Sequence, residues 1–260
     1  MTTLFQVSDL HVAYRRPGEK PVEAVRGVDF TLVEGETLGI VGESGSGKST
    51  IAKALMLLQP VSGGEIRFCG ADVTRLDRAA RAAYRRDVQM VFQDAVGSLN
   101  PRMTVRQTLA EALRHVAAAK STPESLLDVV GLSKAVLDQY PRELSGGQCQ
   151  RASFARALAV EPRVLVADEP VSALDVSVQA RILNLLRDLR RNLGLSVILI
   201  AHDLAVVRNV CDRVCVMHRG LFEDVGPAET VFAHPQSDYT RSLLAAVPDV
   251  ARELARRMTK

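Results

Sequence analysis

The sequence predicts an α/β fold with a block of helices inserted into it, and three observations carry that prediction. Apolar, strand-like runs such as Thr37-Leu38-Gly39-Ile40-Val41, Val164-Leu165-Val166-Ala167 and Ser196-Val197-Ile198-Leu199-Ile200 are each followed by a turn and a helix-period segment. Glycine-rich turns open two of those helices, at Gly42 to Thr50 and at Ser145 to Gln148. Between Thr104 and Asp138 strand signal gives way to helical spacing of Val105, Leu109, Leu113 and Val116, then of Leu126, Leu127 and Val130.

Composition sets the outer bounds. At 260 residues, 47% hydrophobic and 24% charged, the chain can bury a sizeable core. A net charge of +3 spread along the chain, no Trp and 4% aromatics argue against nucleic acid as a partner, because neither a basic block nor a stacking platform is present. Met1 to Gln6 lacks the charged and apolar regions of a secretion signal, so none is expected. The most apolar run, Leu195 to Ala201, suits a buried strand and is too short to cross a bilayer, so any spanning of a membrane would fall to other chains. Cys69, Cys149, Cys211 and Cys215 are scattered, which predicts reduced thiols rather than a metal centre.

Taken in order, Leu4 to Tyr14 and Val22 to Val33 are expected strands, with turns at Pro17-Gly18 and Glu34-Gly35. Tyr14 either packs as an ordinary strand aromatic or offers its ring to a base. The stretch Gly42-Glu43-Ser44-Gly45-Ser46-Gly47-Lys48-Ser49-Thr50 follows a strand and precedes the helix-like Ile51 to Leu58, the context of a phosphate-binding loop. Its glycines let amide groups turn inward, Lys48 supplies charge for the β/γ-phosphates, and Ser49 supplies a hydroxyl for Mg²⁺. Gly63 to Phe68 is expected as a turn and strand, Asp77 to Arg86 as a charged helix, and Val88 to Phe92 as a buried strand. Gln93 then stands at a strand's carboxyl end, either meeting a metal-bound water or capping its loop.

Asn100-Pro101 breaks this alternation, and an inserted helical subdomain of about three helices is expected up to Pro141. Leu144-Ser145-Gly146-Gly147-Gln148-Cys149-Gln150-Arg151 precedes the expected helix Ala152 to Val160; it reads either as a second anion-binding helix end or as a Ser145 cap. Asp168 and Glu169 close a strand on opposite faces, so one suits Mg²⁺ and the other the attacking water of phosphoryl transfer. Ser172-Ala173-Leu174-Asp175 turns into a helix expected from Val178 to Leu193, and His202 ends the next strand as a cap or a γ-phosphate contact. Val214 to Met217 and Leu221 to Asp224 form an expected strand pair, with a short amphipathic helix from Tyr239 onward.

Assembled, the motifs GESGSGKST, VFQD, LSGGQ, VLVADEP, SALD and AHD resemble the ATP-binding subunits of ABC transporters over nearly the whole chain. Ser98-Leu99-Asn100-Pro101-Arg102-Met103-Thr104-Val105 after VFQD, and His234-Pro235 with Tyr239 to Pro248, are similar to the subgroup serving importers of dipeptides, oligopeptides and nickel or metal chelates. The resemblance implies a P-loop NTPase (RecA-like) core with an N-terminal antiparallel β subdomain. It implies an ATP-binding domain over 1–235, its helical subdomain at about 95–150, and a short helical extension over 236–260. ATP and Mg²⁺ are the implied ligands. Gly42, Ser44, Gly45, Gly47, Lys48, Ser49 and Thr50 would hold the phosphates, Tyr14 would stack on adenine, and Ser49, Gln93 and Asp168 would serve Mg²⁺. Glu169 would be the catalytic base and His202 the γ-phosphate contact, with Gln93 sensing the lytic water. Ser145, Gly146, Gly147 and Gln148 would close over ATP held by a second subunit, with Asp175 lining that interface.

The implied partners are a second ATPase chain, a second copy of this one or, as the subgroup often pairs them, a related different chain, with two membrane permease subunits and, indirectly, an extracytoplasmic binding protein, on the cytoplasmic face of the inner membrane. No cysteine follows Cys215, so no iron–sulfur cluster is expected. Chromosome-associated relatives would need long coiled coils between Lys48 and Ser145, and ribosome-associated ones two sets of motifs; neither pattern is in the sequence.

Overall fold

In the computed structural model, residues 2–15, 18, 20–116, 121–172 and 174–246 are described. The chain runs β1 (Thr3–Tyr14), β2 (Val22–Val33), β3 (Thr37–Val41), α1 (Lys48–Leu55), β4 (Gly63–Phe68), β5 (Ala71–Asp72), α2 (Arg78–Asp87) and β6 (Val88–Val91). Then come α3 (Ala95–Ser98), α4 (Val105–Leu113) and α5 (Pro123–Val129), two 3₁₀ turns at Lys134–Val136 and Pro141–Glu143, and α6 (Gly146–Leu158). The remainder is β7 (Val164–Asp168), α7 (Val176–Leu193), β8 (Ser196–Ala201), α8 (Leu204–Val210), β9 (Arg213–His218), β10 (Leu221–Pro227), α9 (Ala228–Ala233) and α10 (Asp238–Ala245).

Two sheets result. One is antiparallel, in the order β2-β1-β4-β5; the other runs β10-β9-β3-β8-β7-β6, parallel except for the β9/β10 hairpin. Strands buried on both faces explain the continuous apolar runs, because alternate side chains serve different cores. Leu38, Ile40, Val164, Val166, Ile198 and Ile200 join α1 and the antiparallel sheet in one core. Leu165, Ala167, Val197 and Leu199 meet α6, α7 and the inserted helices in another. Each of these fully buried Leu, Ile and Val side chains stabilises the fold by about 1.5–3 kcal/mol. A third, smaller cluster joins Val41, Val214 and Val216 to α8 and α9.

Buried Glu36 ties the sheets together, accepting from Val33 N–H at 2.8 Å and pairing with Arg213 at 3.0 Å. The inserted helices fall between β6 and β7, held by capping boxes at Thr104 and Thr122 and by Arg106, which bridges Asp138 and Glu124.

Several boundaries differ from the sequence reading. The phosphate-loop helix is Lys48–Leu55 rather than Ile51 to Leu58, because Leu57 turns left-handed at φ 55°. α6 begins at Gly146 instead of Ala152: Ser145 and Gln148 form a capping box, so both glycines lie in the first helical turn. Asp175 caps α7, which therefore starts at Val176 and not Val178. Phe92 lies beyond β6 and is partly exposed, while β5, α3, α8 and α9 are too short for periodicity to reveal. The Pro17 turn residue, Ala173 and the segment 247–260 lie outside the described residues.

Candidate nucleotide site

The carboxyl ends of β6, β3, β7 and β8 lie along one edge of the parallel sheet, and β3 is flanked by β8 and β9, elements far from it in sequence. A crevice at such an edge is where open α/β sheets place their ligands. β3 delivers the Gly42–Thr50 loop to it, β6 delivers Gln93, β7 Asp168 and Glu169, and β8 His202.

The loop conformation depends on glycine at two close approaches. Gly42 has φ 150°, and a Cβ there would stand 2.0 Å from the Met217 carbonyl oxygen. Gly47 has φ 114°, and a Cβ on it would come within 2.3 Å of the Ala24 carbonyl oxygen. Gly47 also precedes α1 without a side chain to cap it, so the positive end of that helix faces the loop. Lys48 is only 3% exposed and donates through Nζ to the carbonyls of Gly42, at 2.8 Å, and Glu43, at 2.7 Å. Burial lowers its pKa, opposed by the carboxylates of Glu169, Asp168 and Glu43. Ser44 and Gly45 are exposed on the loop, and the buried Ser46 hydroxyl has no protein partner.

Asp168 is buried and accepts from the Ser49 hydroxyl at 2.9 Å. Burial raises its pKa, with the Ser49 bond acting the other way. Glu169 follows in a left-handed conformation, φ 45°, and its N–H donates to Ile200 O at 2.9 Å. That turn, rather than strand alternation, separates the two carboxylates. Gln93 Nε2 donates to Glu169 Oε2 at 3.1 Å, and His202 Nδ1 lies 3.4 Å from the same oxygen. Ser172, which the sequence reading passed over as a site residue, sits 3.5 Å from Gln93 Nε2.

Tyr14, at the end of β1, is more than a third exposed, and its hydroxyl is 3.3 Å from Thr50 Oγ1. Its ring is therefore open to solvent beside the loop instead of packed in the sheet.

Ser145, Gly146, Gly147, Gln148 and Asp175 have local structural roles in this chain. Ser145 and Gln148 cap α6, and Asp175 accepts from Val178 N–H at 2.9 Å and from the Ser177 hydroxyl at 2.7 Å. Those bonds hold the Asp175 carboxyl below the usual carboxylate range. Gly147 admits the Val178 side chain, which would stand 2.7 Å from a Cβ. Gly146 borders a groove with Gln93, Asp94, Gln150, Pro170 and Ser172, so the start of α6 faces the same groove as Gln93.

The residues present suit a phosphate chain and a divalent cation. The loop is a cradle that a Cβ would fill, its lysine is buried with its charge inward, and a buried carboxylate stands on the serine hydroxyl. No helix of the described residues is long and apolar enough to cross a membrane.

Comparison with known proteins agrees with this geometry. Residues 25–172, more than half the chain, match the family model described as ABC transporter. The chain is 44% identical to the oligopeptide transport ATP-binding protein OppF of Lactococcus lactis subsp. lactis, over all of this chain and 86% of the relative. It is 44% identical to the dipeptide transport ATP-binding protein DppF of Lactococcus lactis subsp. cremoris, over 94% of this chain and 80% of that one. A solved ATP-binding cassette, a dimer in a post-hydrolysis state bound to ADP and Pi, superposes with a TM-score of 0.78 at 29% identity, covering 86% of this chain and 99% of its own. A nucleotide cradle at the sheet edge, in a chain matched over its full length, identifies this protein as a member of the ABC transporter family, among its ATP-binding subunits.

Proposed function

We propose that this chain binds and hydrolyses ATP to drive import of peptides, through closure of an ATPase dimer coupled to membrane permease subunits. One observation carries the catalytic part: Gln93 and His202 converge on a single carboxylate oxygen of Glu169. Phosphoryl transfer to water asks a protein mainly for positioning and electrostatics, which this cluster can supply.

In this reading Lys48 and the loop amides bind the phosphates, and Tyr14 stacks on the adenine. Ser49 and Asp168, with Gln93, would hold Mg²⁺, which would supply positive charge to the phosphate oxygens. Glu169 accepts the proton of the attacking water while Gln93 orients it, and His202 contacts the γ-phosphate. Ser145, Gly146, Gly147 and Gln148 close on the ATP of the partner ATPase, with Asp175 at the junction. Exposure of Ser145 and Gly146 supports this, since a helix end facing out can meet a second subunit.

The names of the relatives point to peptides as cargo, with nickel or metal chelates the alternative from the resemblance. The partners would be a second ATPase chain, a related different chain favoured over a second copy of this one, and two permeases, with an extracytoplasmic binding protein acting through them. The ATPase would sit peripherally on the cytoplasmic face of the membrane; residues 1–235 form the ATP-binding domain, about 95–150 its helical subdomain, and 236–260 an extension. Co-purification with the permeases, followed by ATPase assay with and without peptide, tests the reading. Stimulation by peptide is expected; an assembled complex that releases no phosphate would refute it.

A further inference from the structure

The helix α10 lies far along the chain from the phosphate loop, yet it touches it. Tyr239 accepts a hydrogen bond at its hydroxyl from Glu43 N–H, at 3.2 Å. The Tyr239 ring stacks on the imidazole of His218, with centroids 3.9 Å apart and planes 7° from parallel. His218 in turn lies 3.5 Å from the Glu223 carboxylate across the β9/β10 hairpin. α10 itself is anchored, since Asp224 accepts from the N–H groups of Gln236, at 3.0 Å, and Ser237, at 3.1 Å.

The same hairpin braces the loop at two other places. The Met217 carbonyl abuts Gly42, and Gly220 N–H donates to Ser46 O at 2.9 Å. Residues 42 and 43 are the two whose carbonyls hold Lys48 Nζ. The peptide unit joining them is therefore held at Gly42 O by Lys48 and at Glu43 N by Tyr239. Losing the outer bond frees that unit to rotate, and Lys48 with it.

We propose that Tyr239 is a positioning residue for nucleotide binding: through Glu43 N–H it fixes the 42–43 peptide and thereby the site of the Lys48 ammonium. The proposal rests on reading the loop as the ATP site. It makes the last described helix part of the nucleotide-binding apparatus without contact with the nucleotide.

Tyr239→Phe tests it, because the ring and its stack on His218 stay while the acceptor goes. In the full chain with Mg²⁺, the Kd for ATP should rise about two- to tenfold, the loss of one hydrogen bond. In turnover the change should appear in KM, with kcat altered by less than about twofold. The Tm should move by no more than about 3 °C. Tyr239→Ala should give the same weakening together with a larger fall in Tm, from loss of the stack. A purely structural role predicts the reverse, an unchanged Kd in Tyr239→Phe and an effect only where Tm falls; that result would overturn the proposal. Lys48→Ala run in parallel separates the two levels. Lost ATP binding in Lys48→Ala beside unchanged binding in Tyr239→Phe defeats the positioning role alone, whereas unchanged binding in Lys48→Ala defeats the ATP-site reading and the proposal with it.

Discussion

Gln93 donates to Glu169 across 3.1 Å, joining the carboxyl end of β6 to that of β7 at the root of the inserted helices. The inserted helices follow Gln93 directly, so this hydrogen bond connects them to the carboxylate that would take a proton from water. Glu169→Gln keeps the shape and the hydrogen-bonding reach but removes the base. Turnover should fall by about 10²–10⁴-fold while ATP affinity stays within a few-fold. Phosphate release and nucleotide titration check this; parental turnover in the variant would remove Glu169 from the role of base.

Asp168 should show a trade between stability and activity. Burial raises its folded pKa above the unfolded value, so ionising it costs stability, a cost that sets in as pH rises through the unfolded value and is complete above the folded one. Asp168→Asn removes the buried charge while leaving an oxygen for Ser49. We expect Tm without nucleotide to rise by about 2–4 °C and Mg²⁺-dependent turnover to be lost. Calorimetry with and without Mg²⁺ and ATP gives both readings; a lower Tm would mean that Lys48 and Lys53 already offset the burial of this carboxylate.

The glycines of the loop should separate by contact rather than by conformation alone. Gly45 has φ 79° with open space at the Cβ position, so Gly45→Ala should cost only about 1–2 kcal/mol of left-handed strain. Gly42→Ala adds a 2.0 Å clash with the Met217 carbonyl and should displace the β9/β10 hairpin from the loop. Its destabilisation should exceed about 3 kcal/mol, with ATP binding lost. Denaturant melts of the two variants should differ clearly.

The ion bridges that tie the inserted helices together should weaken in acid. Arg106 bonds hold Asp138 below the usual carboxylate range, and Glu124 is held there first by its own backbone amide and then by Arg106. Lowered folded values mean that this contribution is present above the ordinary carboxylate range and disappears as pH falls through the folded values, below about pH 4. Arg106→Gln should flatten the acid limb of a Tm-against-pH plot. An identical slope in both proteins would show that the bridges contribute nothing.

The placement of the candidate site residues was readable wherever it follows from a strand or a turn. Gly42 to Thr50, Gln93, Asp168 and His202 all sit at strand ends that apolar runs mark in the sequence. The inserted helices were legible for the same reason, since Val105 and Leu109 repeat at helical spacing and are both buried. What local pattern misjudged was helix starts: Gly146 and Gly147 read as turn because glycine weakens helices, and the Ser145–Gln148 capping box outweighs that.

The sequence by itself determined the order of strands and helices, the phosphate loop and the set of polar side chains at the sheet's carboxyl edge, because these depend on residues within a few positions of one another. Only the tertiary structure decided which of them meet. Glu169 takes its place from a left-handed turn hydrogen-bonded to β8, and Tyr239 reaches Glu43 because the β9/β10 hairpin carries α10 back to the loop. Contacts between segments so far apart are set by sheet order and hairpin packing, which no local periodicity encodes.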